Sequence, residues 1–224
     1  MLADAIGEML PATMAIALTP IQIIAVVVVL GGRRGRAGGF AFLLGWLVAF
    51  GALAALAVVL VEQLGENDRA PTPLLHWLQL VAGLLLLWLA VRAWRGRPVE
   101  GEEPKPPAWL ASLGEARPAK ALLVGATTAV ANPKIVALVL SSATSIAYLP
   151  LSATQLAVTI LLFVLLGSLP LIVLVFAHAL GGEAAARGIR AFKGFMLRNN
   201  DVIVTIVLAM LGVKILGNGI EGIW

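Results

Sequence analysis

The sequence predicts an all-α integral membrane fold of six transmembrane helices, and three observations predict it. Of 224 residues, 60% are hydrophobic and only 12% are charged, too little polar surface for a water-soluble domain of this length. The apolar residues fall in long runs, such as Ile21 to Gly31, Phe40 to Val61, Leu78 to Val91 and Gln155 to Ala177. A bilayer core of ~30 Å needs roughly 20 helical residues, and these runs supply them. The basic residues, finally, gather in alternate connections between the runs.

Spans are expected at approximately residues 9–31, 39–62, 73–95, 119–146, 153–178 and 201–220. Arg33, Arg34 and Arg36 then lie between the first two. Arg92, Arg95, Arg97, Lys105, Arg117 and Lys120 flank the central connection, and Arg187, Arg190, Lys193 and Arg198 precede the last span. Thirteen of the 16 basic residues therefore share one side, whereas Arg69, Glu62, Glu66 and Asp68 occupy the other. The positive-inside rule puts the thirteen in the cytoplasm and both termini outside, a multi-pass protein of the cytoplasmic (inner) membrane. The net charge of +4 belongs to this orientation and not to nucleic acid.

The absence of cysteine excludes disulfides and thiol redox chemistry. His76 and His178 lie far apart and join no ligand cluster, so neither metal nor cofactor is expected. Asp4 and Glu8 stand where a cleaved signal would be basic, so none is expected.

The chain reads as one membrane domain, 1–224, with a three-helix repeat at 1–95, a cytoplasmic linker at 96–118 and a second repeat at 119–224. The first half starts outside and the second inside, so related halves form an inverted-topology repeat. Ala17-Leu18-Thr19-Pro20 parallels Val130-Ala131-Asn132-Pro133, Leu43-Leu44-Gly45 parallels Leu165-Leu166-Gly167, and Leu89-Ala90-Val91-Arg92 resembles Leu211-Gly212-Val213-Lys214. In the linker, Glu100, Glu102, Glu103 and four prolines between Pro98 and Pro107 read as hydrated coil. Trp109 to Leu113 is expected to rest at the interface. Ile189, Phe192 and Met196, interleaved with basic residues, predict a short amphipathic helix over 183–198, lying on the headgroups before the last span. Trp77, Trp94 and Trp224 fall near span ends, as an aromatic belt requires.

Thr19-Pro20 and Asn132-Pro133-Lys134 carry the most chemistry. Proline has no amide hydrogen, so Pro20 frees the carbonyl of Ile16 and Pro133 that of Ala129. Each proline follows a good capping residue and is itself favoured at the first helical position, so each pair predicts a new helix start within the bilayer. Such a start presents unpaired amides and a positive dipole end. Two of them in corresponding positions predict an anion site. Lys134 lies roughly 15 residues into the fourth span, where an ammonium costs ~2.5–3.5 kcal/mol on insertion scales, which marks it for function. It is expected to bind an anionic substrate, bind a freed carbonyl such as that of Ile16, or titrate during transport. Thr19, Pro20, Gln22, Asn132, Pro133 and Lys134 form the expected substrate-binding set. Lys214 is a further candidate, with snorkelling its structural alternative. Thr127 and Thr128 are expected to bond back to their own helix, and Gly45 and Gly167 to let helices approach.

With Asn132-Pro133-Lys134 in the fourth span, the chain resembles the lysine-exporter superfamily, whose members have two inverted three-helix halves. Within it, Leu18-Thr19-Pro20, the run Arg33 to Trp46 ending Phe42-Leu43-Leu44-Gly45-Trp46, and the basic segment before the sixth span are similar to the GAP (Sap) family. That family is named for addressing glycopeptidolipids and sulfolipids to the mycobacterial envelope. Amino-acid exporters of the superfamily continue Thr-Pro with Gly-Pro, whereas this chain reads Thr19-Pro20-Ile21-Gln22. Thiol-redox relatives place a cysteine in each half, and metal exporters carry intramembrane acidic or histidine clusters. This chain has neither.

The resemblance implies a secondary transporter exporting an anionic or lipid-like envelope compound through a midplane site between the broken first and fourth spans. The chain has no Gly-rich nucleotide loop and no nucleophile–base pair at a plausible depth, so it is not expected to be an enzyme. The alternatives are a non-transporting accessory or assembly subunit of lipid export machinery, or an exporter of a small amino-acid-like solute. The expected partners are the bilayer, the anionic substrate and a second copy in a homodimer.

Overall fold

Prolines open several helices of this chain, although Pro11 lies inside the first one. The structure, a computed structural model, describes residues 2–65, 73–96, 112–147 and 149–221. Among them the chain is helical with no strand. In order come α1 (Leu2–Ala17), α2 (Pro20–Leu30), α3 (Gly35–Gly65) and α4 (Pro73–Arg95). A 3-10 turn (Ser112–Glu115) precedes α5 (Pro118–Val130), α6 (Pro133–Ala147), α7 (Ala153–Gly167), α8 (Leu169–Leu180) and α9 (Gly182–Glu221). Pro20, Pro118 and Pro133 each open a helix at its first residue, the position where a missing amide costs nothing.

In α3, 27 residues, Gly35–Val61, are long and apolar enough to cross a membrane unaided. Three bent pairs are long and apolar enough when each is taken together: Ala3–Ala17 with Pro20–Leu30 at 51°, Pro118–Val130 with Pro133–Thr144 at 58°, and Ala153–Gly167 with Leu169–Leu180 at 59°. By length and composition the described residues thus hold one to four spans, with Val202–Gly217 a shorter apolar helix. Among the described residues the protein is all-helical, and its long apolar helices are those of a membrane protein.

Two expectations are corrected. The fifth span, expected unbroken over 153–178, kinks at Ser168, because Pro170 cannot donate to the preceding turn. The short helix expected over 183–198 is not separate: α9 runs unbroken from Gly182 to Glu221. Arg198-Asn199-Asn200-Asp201 reads as a boundary, but Asn and Asp cost only about 0.7 kcal/mol each inside a helix, and the flanking turns carry it through.

The chain forms two compact units, which cut across the sequence halves. The first holds residues 1–63 and 106–196. In it, α1 packs on α6 and α7, while α2 packs on α5, α8 and the 3-10 turn. Helix α3 runs along both groups. Its buried aromatic column of Phe42, Trp46 and Phe50, each 0% exposed, follows the i, i+4 spacing of one helix face. The Phe50 ring meets Phe163 of α7 at 5.3 Å between centroids, and the Trp46 indole N–H donates to Ser168 Oγ at 2.9 Å. Gly45 and Gly125 bring α3 and α5 into backbone contact: a Cβ on Gly45 would run into the Leu122 carbonyl, and one on Gly125 into that of Phe42. Gly167 instead faces the edge of the Phe50 ring, 3.0 Å from where its Cβ would stand.

The second unit holds residues 64–105 and 197–224. Here Gly83 of α4 and Gly212 of α9 face each other reciprocally, a Cβ on Gly83 lying 3.0 Å from the Gly212 carbonyl oxygen. Small residues allow this approach where burial in lipid supplies no hydrophobic drive. Trp77 and Trp94 of α4 are exposed, in keeping with the aromatic belt. Most of the linker, and Trp109 and Trp224, lie outside the described residues. Leu113, expected at the interface, is buried.

Candidate functional site

The two Xaa-Pro breaks close differently. After α1, the amide of Thr19 donates to the Ile16 carbonyl at 3.0 Å, tightening the last turn. Thr19 has the extended backbone of a capping residue (φ −70°, ψ 116°), yet its side chain caps nothing. Its hydroxyl donates backward to the Ala15 carbonyl at 2.9 Å instead. That corrects the capping role expected of Thr19: a Thr hydroxyl within reach of the i−4 carbonyl can spend its proton there. Thr19 therefore offers the first-turn amides of α2 no side-chain acceptor.

Gln22 fills the other half of this break. Its Nε2 donates to the Ile16 carbonyl at 2.7 Å, so the group freed by Pro20 is taken by Gln22 and not by Lys134. Gln22 is 0% exposed, and its Oε1 has no partner among the described residues. A buried amide oxygen left so costs about 1–3 kcal/mol.

After α5, Asn132 does cap. Its Oδ1 accepts from the Lys134 amide at 3.1 Å, while its carbonyl accepts from Ile135 at 3.0 Å and Val136 at 3.1 Å. The cap orients the first turn of α6, which carries Lys134. The Nζ of Lys134 is buried with no partner among the described residues.

Both breaks contribute to one cleft of about 470 Å³, lined by Ile21, Val124, Thr127, Thr128, Ala131, Asn132 and Pro133. Ile21 belongs to the first turn of α2, and Asn132 and Pro133 to the start of α6, so the structure brings the two helix starts to one place. Thr127 donates to the Leu123 carbonyl at 2.7 Å, and Thr128 to Val124 and Gly125 at 2.9 Å. Their hydroxyl protons are spent on their own helix, which leaves a largely apolar wall. Thr19, Pro20 and Gln22 are buried and line no part of the cleft, nor does Lys134. Lys214 lies on α9 in the second unit, half-buried.

The third break is the part sequence reasoning missed. Gly167-Ser168-Leu169-Pro170 holds a proline one position late, and its buttress, Trp46, is remote in sequence. Pro170 within an apolar run was the available signal. Among the described residues, no group of three His, Asp or Glu side chains could hold a metal ion.

No curated protein and no solved structure matches the chain. A family model does, that of Sap, sulfolipid-1-addressing protein, over residues 9–221. The break at Thr19-Pro20, the capped Asn132-Pro133-Lys134 start and the cleft between them all lie within that match, and the chain belongs to the Sap family.

Proposed function

We propose that this protein is a secondary transporter that exports an anionic, lipid-like envelope compound across the cytoplasmic membrane. The observation that carries the reading is Lys134: a buried ammonium without a partner among the described residues, in the first turn of a helix whose start lines a cleft with the start of another. A buried cation left unpaired is costly. An anion arriving beside it, and beside the uncapped first turn of α2, removes that cost, and broken helices facing each other are the arrangement secondary transporters use. The apolar wall suits the hydrocarbon part of an amphiphile. The family description names a sulfolipid, whose sulfate has the required charge.

The reading includes six spans as two inverted three-helix repeats, with both termini outside. The contacts support the symmetry. The first half of span one packs on the second half of span four, α1 on α6, and the first half of span four packs on the second half of span one, α5 on α2. Likewise α1 meets α7, the first half of span five, as α5 meets the first half of α3 through Gly45 and Gly125. An inverted pair of halves predicts such exchanged contacts.

Reconstitution into liposomes tests the reading. Purified protein is expected to move a fluorescent sulfated lipid between leaflets, and Lys134→Ala to lower the rate at least about tenfold, the loss of one buried charge-assisted hydrogen bond. No movement by the wild-type protein with any anionic envelope lipid would overturn transport in favour of an accessory role.

A further inference from the structure

A second cluster of cations lies away from the cleft. The 3-10 turn Ser112–Glu115 docks on α2, with Leu113 buried at 2% exposure. The contact is close enough that a Cβ on Gly32 would strike the Gly114 carbonyl. Lys120 reaches back from α5 to Ser112 Oγ at 3.4 Å, tying the turn to the helix that follows. This docking brings Arg117 to the turn that carries Arg33 and Arg34. The three arginines line a cavity of about 450 Å³ with Gly114, Glu115 and Ala116, within the ~300–1,000 Å³ range of small-molecule sites. None of the three forms an ion pair among the described residues, and Glu115 is the one carboxylate in the lining.

Three exposed arginines line one cavity, where their like charges repel and are opposed by a single negative group. Scattered anchoring charges, which the positive-inside bias alone would give, need no such convergence. Guanidinium forks match the oxygens of sulfate and phosphate bidentately, and on the proposed cytoplasmic face they meet anionic headgroups. We infer that this pocket is a binding site for a tetrahedral oxyanion, the sulfate or phosphate of a lipid headgroup, separate from the midplane cleft. The inference needs the protein to lie in a membrane; it does not need transport.

Native mass spectrometry and thermal unfolding of the full chain in nanodiscs test it. The probes are phosphatidylglycerol in a phosphatidylcholine background, and inorganic sulfate and phosphate added separately. Wild-type protein is expected to retain phosphatidylglycerol and to unfold at a higher temperature with it. Arg34→Lys with Arg117→Lys keeps the charge but loses the fork, and is expected to weaken binding about tenfold. Leu113→Ala keeps all three guanidiniums but loosens the turn, and is expected to weaken it too. Arg187→Ala with Arg198→Ala, which removes two positive charges outside the pocket, is expected to leave it unchanged. Binding of the inorganic ions with the same variant pattern, without lipid retention, supports the site with a soluble anion as its ligand. Equal loss in the Arg34/Arg117 and Arg187/Arg198 variants, unchanged binding in Leu113→Ala, or no binding of any probe would overturn it. None of these readouts involves movement of a substrate, so failure here leaves the transport reading to its own test.

Discussion

Thr19-Pro20 and Asn132-Pro133 each break a helix ahead of a proline, yet one break is capped and the other is not. Asn132 holds the Lys134 amide. Thr19 turns back to Ala15, and Gln22 covers the freed carbonyl instead. The cause is local chemistry. An Asn side-chain carbonyl can only accept, so beside a new helix start it takes an amide; a Thr hydroxyl can donate, and the i−4 carbonyl is nearest. The second break thus has its first turn, which carries Lys134, tied by a side chain, and the first has no such tie from Thr19. The glycines show the same inequality, since Gly45 meets backbone where Gly167 meets a ring edge.

Gly45 and Gly167 should differ the most when each gains a methyl group. Gly45→Ala forces a methyl group into the Leu122 carbonyl, and α3 and α5 must separate. The expected loss is about 3 kcal/mol, the upper part of the range for overpacking, read as reduced folded yield and a lower thermal midpoint in detergent. Gly167→Ala meets the edge of Phe50, which can tilt, and is expected to cost about 1 kcal/mol. Equal losses in both would mean that the contacts of the two halves are interchangeable, contrary to the packing.

Next in size is the cap. Asn132→Ala removes the acceptor from the Lys134 amide and is expected to cost about 1 kcal/mol, measured by equilibrium unfolding in mixed micelles. Gln22→Met, close to it in volume, removes the donor to Ile16 but also the orphaned Oε1. The carbonyl keeps its bond from the Thr19 amide, so the net change is expected within about 1 kcal/mol. A large loss would mean that Gln22 Oε1 has a partner after all.

Much of this architecture could be read from the residues. Long apolar runs announce helices in lipid, and α4 falls on the expected 73–95. Proline after a capping residue announced the two breaks, because both effects are local. What stayed hidden depends on contacts that form only after the chain folds. The bond from Trp46 to Ser168 at the third kink joins residues 122 apart, and Gln22 reaches a carbonyl six residues back because the chain bends there. The arginine pocket exists because Leu113 finds α2. Even Thr19 departs from its expected capping role through a local choice, its hydroxyl donating backward to Ala15 and capping nothing ahead.

A substitution with a small effect on stability should move stability and function in opposite directions. Thr19→Asn makes the first break resemble the second. The substitution gives up the bond to Ala15, a back-bond that does little for a helix. It supplies an oxygen for the first-turn amides of α2 that Thr19 leaves uncapped, and Asn is the better capping residue. A gain of about 0.5 kcal/mol is expected, a thermal midpoint higher by a degree or two. If those amides belong to the proposed anion site, the new side chain competes for them, and the apparent affinity for a sulfated lipid should fall several-fold. A rise in midpoint with undiminished affinity would remove α2 from the site and leave Lys134 to hold the anion alone.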